Sequence, residues 1–196
     1  VACNTATSAA IHILRETYPE KIIIGIEPAL KVATDHFPTG HIGIMATAVT
    51  LREEKFDLLV HRFDGNCTIS KIPAPGLVKL IEAGKSDTPE TDALLASLLG
   101  PYVGKLDALV LGCTHYPIIS ATIRSVMGKG VTLIDSGKEA ALGCLEVLKQ
   151  QDLLCSSDNE PEQQYYVSDA TESFYNVAEL FLGRSVIGKV ERIDIE

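Results

Sequence analysis

Residues 108–117 read Ala108-Leu109-Val110-Leu111-Gly112-Cys113-Thr114-His115-Tyr116-Pro117. The first four are apolar with no polar alternation, as expected of a strand covered on both faces, and such strands belong to parallel sheets between helix layers. Gly112 closes the run, a thiol follows, and Pro117 suits the first turn of a helix. The pattern recurs along the chain. Strand-length runs fall at 21–26, 41–46, 67–72, 108–112, 131–134 and 165–167. Helix-like segments fall at 5–18, 28–36, 50–63, 77–83, 89–103, 118–127, 138–150 and 171–181. Leu77, Leu80 and Ile81 show the i, i+3, i+4 spacing of an amphipathic helix, and Pro28, like Pro117, fits a first-turn position. The alternation predicts an α/β fold with mainly parallel sheets flanked by helices. Residues 152–164 are polar and acidic and read as a linker.

A second thiol stands in matching surroundings: Val1-Ala2-Cys3-Asn4-Thr5. In each case an apolar run ends at a cysteine, small polar residues follow, and a helix begins. A weak internal repeat extends the match, since Cys3 leads through a helix and a strand to Glu27-Pro28, and Cys113 through the same order to Asp135-Ser136. Two similar halves, each supplying one thiol, predict two pseudo-symmetric lobes with the site in the cleft between them. A helix N-terminus favours a thiolate and also offers N–H groups to a carboxylate. His115, two residues beyond Cys113, is placed to shuttle that thiol's proton.

The bulk properties narrow the partners. The 196 residues carry a formal net charge of −9, with 46% hydrophobic and 22% charged residues. This excess of acid argues against nucleic acid or an anionic membrane as partner, and no apolar run reaches the ~20 residues that span a bilayer. The five cysteines (Cys3, Cys67, Cys113, Cys144 and Cys155) are odd in number, irregular in spacing and form no CxxC pair. That pattern fits a reducing cytoplasm and free thiols. Cys67, Cys144 and Cys155 read as structural or incidental. Zinc takes three or four ligands, and Cys113 with His115 supplies two, so no metal is expected.

At the two thiol motifs the chain resembles the glutamate racemases of the aspartate/glutamate racemase superfamily. Ala2-Cys3-Asn4-Thr5-Ala6-Thr7 is similar to the family's first thiol motif and Leu111-Gly112-Cys113-Thr114-His115-Tyr116-Pro117 to its second. Residues 25–29, 43–50 and 77–84 support the match. The resemblance implies racemisation of L-glutamate to D-glutamate without a cofactor, one thiolate removing the α-proton and the other thiol returning one to the opposite face. It implies Cys3 and Cys113 as acid and base, His115 and Glu82 as assistants to the second thiol, and Asn4, Thr5, Thr47, Thr50 and Thr114 as substrate-binding residues. It implies an outer lobe of residues 1–27 and 137–196 carrying Cys3, an inner lobe of 28–136 carrying Cys113, a cytoplasmic enzyme feeding peptidoglycan synthesis, and a homodimer in many members.

The family's chain has about 70 further residues ahead of the first thiol, including Asp-Ser-Gly and Pro-Tyr-Gly segments. The sequence, beginning with Val1, reads as lacking them, which leaves the first lobe incomplete. Asp135-Ser136-Gly137 repeats the tripeptide after the second thiol, where Asp135 or Ser136 reads as a helix cap. Two alternatives stand beside this one: a racemase of the same superfamily acting on aspartate or another amino acid, and a non-catalytic glutamate-binding protein.

Overall fold

The computed structural model describes all residues except 27–28, 53, 64, 158–161, 170–171, 187–188 and 195–196. Its main sheet has four strands, β1 (His41–Ala46), β2 (Thr68–Pro73), β3 (Ala108–Leu111) and β4 (Thr132–Asp135), in the order β2-β1-β3-β4. All three pairings are parallel, with Ile42 beside Ala108, Gly43 beside Leu109 and Val110 beside Ile134. The α/β class predicted from the sequence is therefore the class observed.

Period-two side-chain geometry sorts β3 between two cores. Leu109 and Leu111 face one, with Met45, Ile72, Leu77, Ile81, Leu95, Leu99 and Ile123. These come from α5 (Leu77–Glu82), α6 (Pro89–Leu99) and α7 (Ser120–Met127) as well as the sheet. Ala108 and Val110 face the other, with Leu30, Ala33, Ile42, Ile44, Leu51 and Phe56. These bring in α2 (Leu30–His36), α3 (Ala48–Arg52) and α4 (Glu54–Phe63). Covering on both faces is why the strand shows no polar alternation.

Around this layer lie α1 (Asn4–Thr17), α8 (Ser136–Gln150), α9 (Glu172–Leu182) and a two-stranded parallel sheet of β5 (Tyr165–Val167) and β6 (Val190–Arg192). Here the burial is thinner, and Leu142, Leu145 and Leu148 of α8 are each more than a third exposed.

Two expectations need correction. Residues 21–26 form no strand among the described residues. There, their backbone pairing is with Val1, whose ammonium donates to the Ile24 carbonyl and whose carbonyl accepts from Ile26 N–H. A single residue cannot build a ladder. The helix expected at 118–127 opens with a 3₁₀ turn at Tyr116–Ile119 before α7, whereas the one expected at 50–63 is helical at all its described residues, as α3 and α4. β6 was not foreseen. Glu27 and Pro28, the carboxylate of the first repeat and a predicted helix start, lie outside the described residues, as does part of the acidic linker.

Candidate active site

The carboxyl ends of the sheet strands present the candidate residues, as expected of open parallel sheets. After β1 come Thr47 and α3, which bears Thr50. After β3 come Gly112, Cys113, Thr114 and His115, and after β4 Asp135 caps α8 by accepting Gly137 N–H at 2.7 Å. Ser136 is not the cap. Its hydroxyl donates to the Leu111 carbonyl and accepts from Ala29 N–H, fixing the end of β3 from below.

Cys113 is half-buried, with its Sγ 3.7 Å from His115 Nδ1. His115 Nε2 lies 3.0 Å from Glu82 Oε1 at the end of α5. A carboxylate only accepts, so Nε2 carries the proton in that contact and Nδ1 keeps its lone pair toward the thiol. The three residues thus form a relay in which the imidazole can take the Cys113 proton while Glu82 steadies the resulting cation. The Phe181 ring of α9 meets the imidazole edge-on at 6.4 Å.

Burial pushes the Cys113 thiol above its ordinary range. A backbone hydrogen bond at His115 works against this, the charges of Cys3 and Glu82 add to it, and the Thr114 hydroxyl opposes it. This differs from the lowered value expected at a helix start. Cys113 precedes a 3₁₀ turn of four residues rather than the open end of an α-helix, and desolvation wins. Tyr116, fully buried with an unpartnered hydroxyl, is likewise pushed up by burial and then by Cys113.

Cys3 is exposed and occupies the N-cap of α1 with no side-chain cap bond. Its charge is one of the influences that push the Cys113 thiol up, from a motif 110 positions away in sequence. Asn4 beside it is buried. Its Nδ2 donates to the Gly112 carbonyl at 2.7 Å and its Oδ1 has no partner among the described residues. Thr5, Thr50 and Thr47 form a hydroxyl chain, with Thr5 Oγ1 to Thr50 Oγ1 at 3.0 Å and Thr50 Oγ1 to Thr47 Oγ1 at 2.9 Å. Thr47 also accepts Thr50 N–H at the start of α3. The fold therefore gathers the predicted residues into three linked groups: Cys113–Thr114–His115–Glu82, Cys3–Asn4, and Thr5–Thr50–Thr47.

A cavity of about 410 Å³ adjoins them, walled by Val1, Ile24, Ile26, Ala140, Cys144 and Phe181. Of the predicted site residues only Cys113 and Thr114 reach it. Its apolar wall is unsuited to a dicarboxylate, so the polar groups, not this cavity, define the candidate site. Sequence reasoning missed Ser136 as a brace, the buried Tyr116 hydroxyl and Phe181. Tyr116 stood within the quoted motif, whereas nothing in the sequence links Phe181 to His115. Among the described residues no group of three or more His, Cys, Asp or Glu is gathered to hold a metal ion, and no helix is long and apolar enough to cross a membrane.

A parallel α/β layer that carries a free thiol on a His–Glu relay at its carboxyl edge, tied through Asn4 to the turn of a second free thiol, defines a protein equipped for acid–base chemistry on a small polar molecule. Comparison with known proteins makes the assignment specific. The model of the Asp/Glu/Hydantoin racemase family matches residues 1–143. The glutamate racemase of Stutzerimonas stutzeri is 37% identical over 188 residues, 95% of this chain and 70% of that protein. The solved glutamate racemase of Bacillus anthracis superposes with a TM-score of 0.85 at 28% identity, covering 99% of this chain and 74% of that one. The Francisella tularensis glutamate racemase, solved with D-glutamate, gives 0.82 at 27% identity, covering 98% and 71%. The chain belongs to the Asp/Glu/Hydantoin racemase family, a family of isomerases.

Proposed function

We propose that this protein interconverts L- and D-glutamate by proton transfer between Cys3 and Cys113 on opposite faces of the substrate, with no cofactor. The observation that carries the reading is the Cys113–His115–Glu82 relay, joined through the Asn4–Gly112 bond to the turn that bears the second thiol. Burial keeps Cys113 protonated at neutral pH, so in the resting site it is the acid. In one direction the Cys3 thiolate removes the α-proton and the Cys113 S–H returns one. In the other direction the site starts in the opposite state: Cys113, its proton passed to His115, is the thiolate that removes the α-proton, and exposed Cys3, protonated from solvent, is the thiol that returns one. In each turnover one proton leaves the α-carbon and one enters it, and exchange with solvent resets the two thiols. The weak acidity of a Cα–H beside a carboxylate demands aimed donors in a site that excludes water. Thr5, Thr47, Thr50 and Thr114 hydroxyls serve the carboxylates, and the unpartnered Asn4 Oδ1 is an acceptor suited to the ammonium. In this reading residues 1–27 and 137–196 form one lobe, 28–136 the other, and the product supplies D-glutamate to the bacterial cell wall.

The test is α-proton exchange of L- and D-glutamate in D₂O followed by NMR, with chiral analysis of the product and L-aspartate run in parallel. Exchange and racemisation of glutamate by the unaltered chain are expected, with racemisation lost in both Cys3→Ser and Cys113→Ser. Racemisation that survives either substitution refutes the two-thiol mechanism. A preference for aspartate reassigns the substrate, and a folded chain that binds glutamate without exchanging its proton leaves only the binding reading.

A further inference from the structure

We infer that Asn4 is a positioning residue, a crosspiece whose side-chain amide ties the Cys3 turn to the Cys113 turn and sets the separation of the two thiols. Asn4 follows Cys3 directly and Gly112 precedes Cys113 directly, and the 2.7 Å bond between Asn4 Nδ2 and the Gly112 carbonyl spans 108 positions of sequence. A carbonyl only accepts, so the amide orientation is determined: the NH₂ faces Gly112 and the oxygen faces away. Asn4 is 6% exposed, which keeps water from competing for the bond.

The far end of the crosspiece is itself fixed. Gly112 N–H donates to the Met45 carbonyl at 2.8 Å, and Ser136 Oγ donates to the Leu111 carbonyl one residue earlier. The near end has little else to hold it across the site. Cys3 makes no side-chain cap bond to α1, and Thr5 binds the α3 side through Thr50 rather than the Cys113 turn. The Asn4 amide is thus the direct hydrogen bond between the two thiol turns among those described. The consequence for turnover rests on the two-thiol reading, but the bond and its effect on the thiols can be measured without it.

The readout is the electrostatic hold of Cys3 on Cys113 in the ligand-free chain. Cys113 alkylation by iodoacetamide, resolved by peptide mass spectrometry against pH, gives its titration midpoint. The groups acting on it are Cys3, Glu82, His115 and Thr114. Cys3→Ser removes one charge, so the midpoint falls, and the size of that fall reports how close the thiols stand. Repeating the pair in Asn4→Ala and Asn4→Asp backgrounds, with folding checked by circular dichroism, is expected to shrink the fall to less than half. Asn4→Asp is the discriminating variant, since it keeps an acceptor for a substrate ammonium and loses the donor to Gly112. Asn4→Gln, which keeps the donor, is expected to restore part of the fall. An undiminished fall in both Ala and Asp variants overturns the inference, whether or not the chain racemises glutamate. Should those variants not fold, NMR hydrogen exchange of the Asn4 side-chain amide in the unaltered chain decides. Protection supports the crosspiece, and exchange at the rate of a free amide refutes it.

Discussion

Replacing Gly112 by alanine tests whether the end of β3 is as tightly fixed as its contacts indicate. A Cβ there would stand 3.0 Å from the Met45 carbonyl oxygen and 3.1 Å from Ala46 Cβ. Comfortable carbon contacts begin near ~3.5 Å, so several tenths of an ångström must be found. The obstructing atoms are backbone and a Cβ of β1, which is laddered on both sides by β2 and β3, so neither can swing aside as a side-chain tip would. Two terms oppose one another. Overpacking of this kind costs about 1–3 kcal/mol, whereas Gly→Ala restricts the unfolded chain and returns about 0.4–1 kcal/mol where the backbone conformation is ordinary. The clash wins by roughly 1–2 kcal/mol, which for a chain of this size lowers Tm by about 2–8 °C. The same substitution at Gly143 in α8 meets nothing within 4 Å and is expected to stabilise by about 0.5–1 kcal/mol through helix propensity. Urea unfolding with a thermal scan of both variants is the assay. Gly112→Ala as stable as the parent, or changes of the same sign at both sites, would refute the reasoning.

Asp135→Ala removes the cap of α8 and is expected to cost about 1 kcal/mol in urea unfolding, while Asp135→Asn retains most of it. The alkylation midpoint of Cys113 is expected to lie above that of an ordinary thiol because burial disfavours the thiolate, so at pH 7 it reacts more slowly than a free cysteine. A midpoint at or below the ordinary value would show that the site is wetter than described. Glu82→Gln removes a charge that raises the Cys113 value. The midpoint is therefore expected to fall, and a rise would contradict the electrostatics of the relay.

The sheet was legible because burial on both faces leaves an uninterrupted apolar run. His41–Ala46 and Tyr165–Val167 were anticipated to the residue, and the other main strands to within one or two. β6 escaped because Glu191 and Arg192 are exposed, and a strand with little to bury carries no apolar signal. Residues 21–26 carried the signal without the partner, and strand formation depends on the partner. In the site, Cys113 and His115 could be read as neighbours from spacing alone. Glu82 could not, since 33 positions separate it from His115; only resemblance to the family pointed there. The Thr5–Thr50 contact and the Asn4–Gly112 bond are long-range pairings that no local rule of periodicity or capping encodes, whereas the Thr47–Thr50 pair is a local contact at the start of α3.

The span of the Asn4–Gly112 bond also implies an order of assembly. The main sheet closes through β1–β2 and β3–β4 pairings between segments some 25 residues apart and a β1–β3 pairing 66 positions apart, as at Ile42 and Ala108, whereas this bond must bring together groups 108 positions apart. Closure of the longer loop carries the larger entropic cost and is worthwhile only once the sheet has shortened the path. We predict that the second thiol turn matures with the sheet and that the first docks last. Pulse-labelling hydrogen exchange during refolding, with β1 and β3 amides protected before those of α1, is the expected record, and simultaneous protection would rule it out. A nascent chain caught between the two steps would carry a finished sheet and one placed thiol, with the turn of the other still undocked.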